Sequence, residues 1–439
     1  MDNFLTFTGQ YNKDCKVYNT DIDENEISML YSVLNMQAFK DIPIRIMPDH
    51  HLGKGCLIGF TAPITNMINP SHVGVDIGCS ITTCLTDTSI NPLDYPLIEH
   101  RIKKEIPFGM NINKKRIFEM KHFIKFLRSE YSKARSSWSD MILDFDITEK
   151  SLTNILKRVS MDEGVFYKSL GSIGGGNHFC EIGEYDGKYA FTIHCGSRNF
   201  GVKVCKYWSK IASSSQIDNK LIKDAINDLK NKTENKRELP EKINALIEDF
   251  KSKSCPNDYL MGDNMRGYLS DMVIAQAYAK YNHLLLCERI GDILRHINGA
   301  KIIDTIQSIH NYVDISGDHM IRKGAIRAYE NEKMVVPFNM RDGLAICVGK
   351  SNAEWNNSCS HGAGRKMSRS KAKETITLDE FKDSMKDIYS TSICKSTIDE
   401  SPMAYKDTDT ILNLIQDTCT ILFMVKPIIS IKSTDEQID

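Results

Sequence analysis

Residues 358–369 read Ser358-Cys359-Ser360-His361-Gly362-Ala363-Gly364-Arg365-Lys366-Met367-Ser368-Arg369. Glycines have no Cβ and let the backbone approach a phosphate closely, and the guanidinium groups of Arg365 and Arg369 match phosphate oxygens. His361 would then be able to attack a phosphorus atom and carry it covalently. A solvated basic turn with an incidental histidine explains the same stretch, so the rest of the chain must decide.

The composition limits the classes of protein to consider. The 439 residues are 41% hydrophobic with a formal charge of −1, so any site for a polyanion must be a local basic patch. The thirteen cysteines form no CxxC pair, and the N-terminus resembles no signal peptide, so we expect a reducing, cytoplasmic location with free thiols. No apolar run is long enough to predict a membrane span.

A first group of polar residues follows residues 42–46, whose alternating apolar pattern predicts a short strand. Pro48 and Asp49 are expected to end this strand. Asp49, His50 and His51 are candidates for metal binding or acid–base chemistry, and a polar turn with exposed histidines is the alternative.

A second group consists of an aspartate, a cysteine and three histidines near glycine turns or strand ends. Asp76 and Cys79 lie three residues apart across a glycine turn, so a carboxylate and a thiolate could meet at one ion, although a buried structural cysteine is the alternative. His178 follows a glycine-rich run, His194 ends an apolar strand, and His310 precedes an amide. Five ligands fit a two-metal site with a shared thiolate better than one ion, with zinc, manganese, iron and cobalt left open.

The helical segments carry less chemical information. Residues 95–170 are expected to be largely helical, and their cations indicate either solvated helix faces or a surface for nucleic acid. These cations are Lys103, Lys104, Lys114, Lys115, Arg116, Lys121 and Lys125. Residues 208–254 are expected to form a charged helical excursion and residues 259–297 long amphipathic helices. No linker marks a domain boundary, so we expect residues 1–439 to form one domain.

Seven motifs then occur along the chain in a fixed order. They are Asp76-Ile77-Gly78-Cys79, Gly176-Asn177-His178-Phe179-Cys180-Glu181, His194-Cys195-Gly196-Ser197-Arg198, His310-Asn311, Arg322-Lys323-Gly324-Ala325, His361-Gly362-Ala363-Gly364-Arg365 and Ala404-Tyr405-Lys406-Asp407. Through them the chain closely resembles the RtcB family of RNA ligases, with similarity from about residue 42 to Lys432. The resemblance implies a single-domain mixed α/β fold of central β-sheets and surrounding helices, with two Mn²⁺ ions and GTP as cofactors.

The resemblance also implies a reaction. His361 would attack the α-phosphate of GTP and form a covalent histidine–GMP. The enzyme would open an RNA 2′,3′-cyclic phosphate to a 3′-phosphate and transfer GMP to it, after which a 5′-hydroxyl RNA end would displace GMP. This chemistry would serve tRNA splicing or RNA repair.

Residue roles follow from the same resemblance. Asp76 and His178 would bind one ion, His194 and His310 the other, and Cys79 would bridge both. The expected nucleotide contacts are Asn177, Glu181, Asn311, Pro337, Asn339, Met340, Gly362, Ala363, Gly364, Arg365, Tyr405 and Lys432. Arg198 and Arg369 would hold RNA phosphates, and Asp49 would orient the 5′-hydroxyl.

One loop departs from the family pattern. The family commonly has Pro-Gly-Ser-Met-Gly where this chain has Pro337-Phe338-Asn339-Met340-Arg341, a variant that resembles a bacterial subgroup suited to repairing cleaved RNA. The competing hypotheses are a two-metal phosphoesterase that acts on RNA ends without nucleotidyl transfer, and an RNA-binding protein with a degenerate site. The sequence leaves open the oligomeric state and whether an activating partner protein takes part.

Overall fold

The computed structural model of the chain describes residues 4–215, 226–230, 239, 242–243, 246 and 258–434, with only the backbone at residues 214 and 215. The strands are β1 (Leu5–Phe7), β2 (Cys15–Val17), β3 (Ile44–His51), β4 (Ile58–Pro63), β5 (Met67–Ile68), β6 (Ser80–Thr86), β7 (Phe179–Tyr185), β8 (Lys188–Cys195), β9 (Leu260–Met261), β10 (Ile302–Ile309), β11 (Asn311–Val313), β12 (Met320–Lys323), β13 (Ala325–Arg327), β14 (Lys333–Asn339), β15 (Gly343–Gly349), β16 (Ser358–Ser360) and β17 (Cys419–Lys432). The helices are α1 (Glu24–Leu34), α2 (Tyr95–Glu105), α3 (Met120–Ser137), α4 (Glu149–Arg158), α5 (Glu163–Ser169), α6 (Arg198–Ser215), α7 (Gly262–Asn298), α8 (Arg369–Thr375), α9 (Leu378–Ser384) and α10 (Thr408–Leu414).

Two large sheets form the centre of the molecule. One has six strands in the order β1-β2-β3-β4-β12-β11, and the other has seven in the order β10-β6-β8-β7-β17-β15-β14. The β2–β3 pair is parallel, and the other pairs in both sheets are antiparallel. Helices surround these sheets, so the expected mixed α/β fold is confirmed.

The expected end of the third strand is wrong. Strand β3 continues through Pro48 and Asp49 to His51. Pairing with β4 is interrupted between Ile46 and His51, so the ladder needs no N–H donor at Pro48 and tolerates the proline.

The region predicted as long amphipathic helices is one 37-residue helix, α7. Its apolar stripe is completely buried and consists of Tyr268, Met272, Ala275 and Ala279. Each large side chain buried in this way contributes roughly 1.5–3 kcal/mol through the hydrophobic effect. Of the excursion expected at residues 208–254, the first part lies on α6 and most of the rest lies outside the described residues.

The register of the seven-stranded sheet explains how distant motifs meet. Ser80, at the start of β6, is opposite Ile309 at the end of β10 and Cys195 at the end of β8. Phe179, at the start of β7, is opposite His194. Cys79, His194, His310 and the segment before β7 therefore meet at one edge of the sheet. Among the described residues, no helix combines the length and apolarity that a bilayer crossing requires.

Candidate active site

A thiol and two imidazoles form the centre of the site. Cys79 Sγ lies 3.2 Å from His194 Nε2 and 3.4 Å from His178 Nε2. One ligand atom from each residue falls within 4.8 Å of the others, which is close enough for all three to share an ion.

Asp76 and His310 extend this cluster on opposite sides. Asp76 Oδ2 is 2.9 Å from His178 Nε2, and His310 Nε2 is 3.4 Å from His194 Nε2. The structure therefore brings together all five residues expected to be metal ligands. Their actual occupancy by two ions stays a prediction.

Neighbouring backbone fixes the orientation of these side chains. The Ser197 N–H donates to Asp76 Oδ1 over 3.1 Å, and a Cβ at Gly196 would clash with that carboxylate. His194 Nδ1 is 3.0 Å from the carbonyl oxygen of Asn177, which sets the tautomer with the Nε2 lone pair towards the cluster.

The donor set fits a divalent metal. Burial lowers the pKa of His194 and His310 well below the ordinary value, so both imidazoles are neutral and offer lone pairs. Burial also raises the pKa of the Cys79 thiol, and a bound cation would lower this pKa again. In addition, the buried His310 Nδ1 has no hydrogen-bond partner among the described residues. Sulfur, nitrogen and carboxylate ligands together do not choose between zinc, manganese, iron and cobalt.

His361 follows β16 and lies beside this cluster, with its ring centroid 4.9 Å from that of His310. Its Nδ1 lies 2.7 Å from Asp49 Oδ2, across a separation of 312 residues. The same oxygen accepts hydrogen bonds from the backbone N–H groups of His361 and Gly362, each over 3.1 Å. Burial alone would raise the pKa of Asp49, but the nearby His361 ring outweighs this effect, so the pKa lies below its ordinary value. The ionised Asp49 carboxylate accepts a hydrogen bond from Nδ1–H, which leaves the lone pair on His361 Nε2.

The burial and the partners of Asp49 could not be predicted from the sequence. Its side chain is completely buried, and its hydrogen bonds hold His361 and Gly362. These contacts favour a role for Asp49 in positioning His361. The orientation of a 5′-hydroxyl by Asp49 stays a prediction.

A cavity of about 610 Å³ opens in front of His361, His194 and His310. Most residues expected to contact the nucleotide line it, together with Arg369. They are Asn177, Glu181, Pro337, Asn339, Met340, Gly362, Ala363, Gly364, Arg365, Tyr405 and Lys432. Burial raises the pKa of Glu181 to about 8, an effect that Lys432 partly opposes.

Glu400 organises the basic side of this cavity, and sequence reasoning assigned it no role. Its Oε2 accepts hydrogen bonds from Tyr405 Oη over 2.8 Å and from Lys432 Nζ over 3.0 Å. Its Oε1 lies 3.5 Å from Arg365 Nη1 and 3.9 Å from Arg369 Nη2. Burial alone would raise the pKa of Glu400, but Lys432, Arg369 and Arg365 lower it to about 2. The only signal in the sequence was its position five residues before Tyr405.

Asn311 and Arg198, which were expected to contact the nucleotide and the RNA, form hydrogen bonds within the protein and do not line the cavity. Asn311 donates through Nδ2 to the Asp76 carbonyl and accepts from the Gly324 N–H. Arg198 donates from Nε to Ser172 Oγ and from Nη2 to the Gly109 carbonyl over 2.7 Å.

The loop that departs from the family pattern is held by its own side chains. Asn339 Oδ1 accepts from the N–H groups of Arg341 and Asp342, each over 3.0 Å, and its Nδ2 donates to Asp342 Oδ2. Pro337, Phe338 and Met340 line the cavity beside it. The side chain of Asn339 thus stabilises the turn.

Comparison with known proteins agrees with this geometry. The family model described as tRNA-splicing ligase RtcB matches residues 32–433. An RNA-splicing ligase RtcB of Escherichia coli strain K12 is 28% identical over 410 residues, which cover 89% of this chain and 90% of that relative. A tRNA-splicing ligase RtcB of Aeropyrum pernix is 24% identical over 435 residues, covering 83% of this chain and 82% of the relative. An RNA-splicing ligase RtcB homolog 1 of Entamoeba histolytica is 24% identical over 444 residues, covering 88% and 80%. The chain belongs to the tRNA-splicing ligase RtcB family.

Proposed function

We propose that this chain is a GTP- and Mn²⁺-dependent RNA ligase that works through a covalent histidine–GMP. One observation carries the proposal. His361, oriented by the buried Asp49, faces the cavity at the point where the five-residue cluster meets the arginine-bearing turn.

In the first step, Nε2 of His361 attacks the α-phosphorus of GTP. A P–N bond forms while the bond to pyrophosphate breaks, and pyrophosphate leaves. The ring keeps its Nδ1 proton and gains positive charge, which the Asp49 carboxylate 2.7 Å away stabilises.

Asp76, Cys79 and His178 would hold one ion, and Cys79, His194 and His310 the other. When bound, these ions neutralise charge on the phosphate oxygens. The choice of Mn²⁺ and of two ions rests on the family resemblance, since the mixed ligand set accepts manganese without selecting it.

The cavity offers groups suited to a guanine nucleotide. The turn from Gly362 to Arg365 can surround phosphate oxygens, and Tyr405 can stack on a base. Glu181 and Lys432 can pair with the donor and acceptor edge of guanine.

The RNA steps of this proposal are those that the family resemblance implies. Water opens a 2′,3′-cyclic phosphate to a 3′-phosphate, whose oxygen then attacks the phosphorus of the histidine-bound GMP and releases His361. A 5′-hydroxyl attacks the activated 3′-phosphate, a 3′,5′ bond forms, and GMP leaves with the electron pair. We propose Arg369, which lines the cavity, as a contact for RNA phosphates in tRNA splicing or RNA repair. We propose the same role for Nη1 of Arg198, because its Nε and Nη2 are bonded internally.

The test is incubation with α-labelled GTP and Mn²⁺. The intact chain should acquire label through an acid-labile, base-stable bond, and His361→Ala should abolish it. His296→Ala is the matched control. Nδ1 of this exposed histidine bonds to the Asp292 carbonyl of the same helix, and the residue lies roughly 25 Å along α7 from Ala279, which packs beside Gly78.

Two outcomes would contradict the proposal. Undiminished labelling of His361→Ala would reject His361 as the nucleophile. Absence of label on the intact chain, with phosphate released from RNA ends, would favour the two-metal phosphoesterase.

We also propose that residues 1–439 form a single catalytic domain in the cytoplasm. The described cysteines are all free thiols, and most are buried, which suits a reducing compartment.

A further inference from the structure

A basic segment lies next to the site without belonging to it. Residues 110–125 contain five exposed cations, which are Lys114, Lys115, Arg116, Lys121 and Lys125, and a single acid, Glu119. The segment therefore carries a formal charge of +4, five minus one, in a chain whose formal charge is −1. None of the five cations forms an ion pair within the described part of the chain.

The beginning of this segment is joined to the candidate metal cluster at Gly174. The Gly109 N–H donates to the Gly174 carbonyl over 3.3 Å, and Arg198 donates to the Gly109 carbonyl. A Cβ at Gly174 would clash with His178 Nδ1 and lie 2.8 Å from Arg198 Nη1. Gly174 is therefore in contact with His178 of the metal cluster, with Arg198 and with the backbone of Gly109 that leads into the basic segment.

Hydrogen bonds also fix the backbone of the segment at Asn113, immediately before the first cation. The N–H of Asn113 donates to the Lys168 carbonyl over 2.9 Å, and its Nδ2 donates to the Leu170 carbonyl over 2.8 Å. Arg289 Nη1 bonds to Asn113 Oδ1 and to the Gly171 carbonyl. The backbone that presents Lys114 is thus ordered before any ligand binds, which lowers the entropic cost of binding.

A polyanion with regular charge spacing fits such a surface better than a single phosphate does. The cations are exposed and spread over twelve positions, and they line neither the cavity in front of His361 nor the second cavity beside Tyr312 and Arg327. Chains of phosphates gain affinity from several such contacts through counterion release, without base recognition.

We propose that residues 114–125 bind the phosphate backbone of single-stranded RNA at a distance from the reacting ends. This inference rests on the proposed function, because it names where the RNA substrate extends from the site. Binding there is independent of sequence and strongly dependent on salt.

The test compares the intact chain with K114Q/K115Q/R116Q. The affinity for a 3′-phosphorylated single-stranded RNA is measured from low to high salt. For three lost contacts, the slope of log K against log salt should become shallower by about 2, since each contact contributes about 0.7. Between 50 and 200 mM salt, the intact chain should then lose roughly 20-fold more affinity than the variant.

K188Q/K301Q/K426Q is the matched control. These exposed lysines lie at the opposite end of the seven-stranded sheet, roughly 23 Å along β8 from Cys195. This control should keep the slope of the intact chain. An unchanged slope for K114Q/K115Q/R116Q, as expected if the segment binds an acidic protein instead, would overturn the inference, as would an equal change in the control.

Self-labelling with α-labelled GTP separates this inference from the proposed function, because labelling requires no RNA. If the intact chain takes up no label and the slope still differs between variant and control, the proposed function fails while the RNA surface stands. Label on both proteins with equal slopes rejects the surface alone.

Discussion

Replacement of Glu400 by glutamine should loosen the basic side of the cavity. The carboxylate is 2% exposed and faces Lys432 Nζ at 3.0 Å, Tyr405 Oη at 2.8 Å and Arg365 Nη1 at 3.5 Å. Glutamine keeps the volume and can still accept the Tyr405 hydrogen bond. It removes the negative charge, so Lys432 stays buried without a counter-ion.

The expected loss of stability is about 3 kcal/mol. The pKa of Glu400 falls from 4.5 to about 2 on folding, and each pKa unit is worth about 1.4 kcal/mol. Removal of one partner of a buried ion pair typically costs about 3–5 kcal/mol, which agrees. Because the folded pKa is lowered, this stability is present above pH 4.5 and is lost as the pH falls towards 2.

Urea denaturation of Glu400→Gln, Lys432→Met and the double variant measures the coupling between the two groups. At pH 7 we expect the double variant to be more stable than the sum of the two single effects predicts, by about 1–3 kcal/mol. The KM for GTP in self-labelling should rise in Glu400→Gln, while the maximal extent of labelling stays that of the intact chain. The stability gap between Glu400→Gln and the intact chain should narrow as the pH falls below 4.5 and close only near pH 2.

Additivity of the two single effects within about 0.5 kcal/mol would show that Glu400 and Lys432 do not interact. A stability gap that keeps its full size at pH 3 would equally reject an ionised Glu400 as its source, because a folded pKa of about 2 predicts that roughly half of the gap is lost by that pH.

Three further predictions concern other parts of the site. Asp49→Asn should slow self-labelling in single-turnover experiments by about 10² to 10⁴-fold, because the amide can stabilise the tautomer of His361 that carries its proton on Nε2. A rate equal to that of the intact chain would exclude positioning by Asp49. Cys79→Ser should lower the Mn²⁺ content after dialysis, measured by elemental analysis, and an undiminished content would argue against the thiolate as a ligand. Glu181→Gln should gain stability relative to the intact chain as the pH rises from 4.5 to 8. The folded pKa of Glu181 is about 8, so the intact chain loses stability over this pH range. Denaturation at several pH values tests this, and a difference in stability that does not change with pH would contradict it.

Local residue chemistry was enough to predict part of the site. The glycines and arginines after His361 are typical of a phosphate-binding turn wherever the chain folds, because they depend on neighbours within a few residues. The same holds for the glycine turn between Asp76 and Cys79. Ordered motifs then identified the family, which a single motif would not have done.

Long-range contacts could not be predicted in this way. Asp49 meets His361 across 312 residues, and nothing near Asp49 distinguishes it from a polar turn. Strand β3 passes through Pro48 only because its pairing with β4 is interrupted there. In these cases packing between distant segments determines the surroundings of a residue.

Residue type and order were enough to establish the fold class, the family and the set of side chains able to bind metal and phosphate. The partners and orientations of those side chains depend on how the chain packs. Arg198 turns inward to the Gly109 carbonyl, and Glu400 joins Arg365, Tyr405 and Lys432. The physical reason is that burial and partner geometry set the charge state and orientation of a polar group, and both arise when the two sheets and their helices pack together.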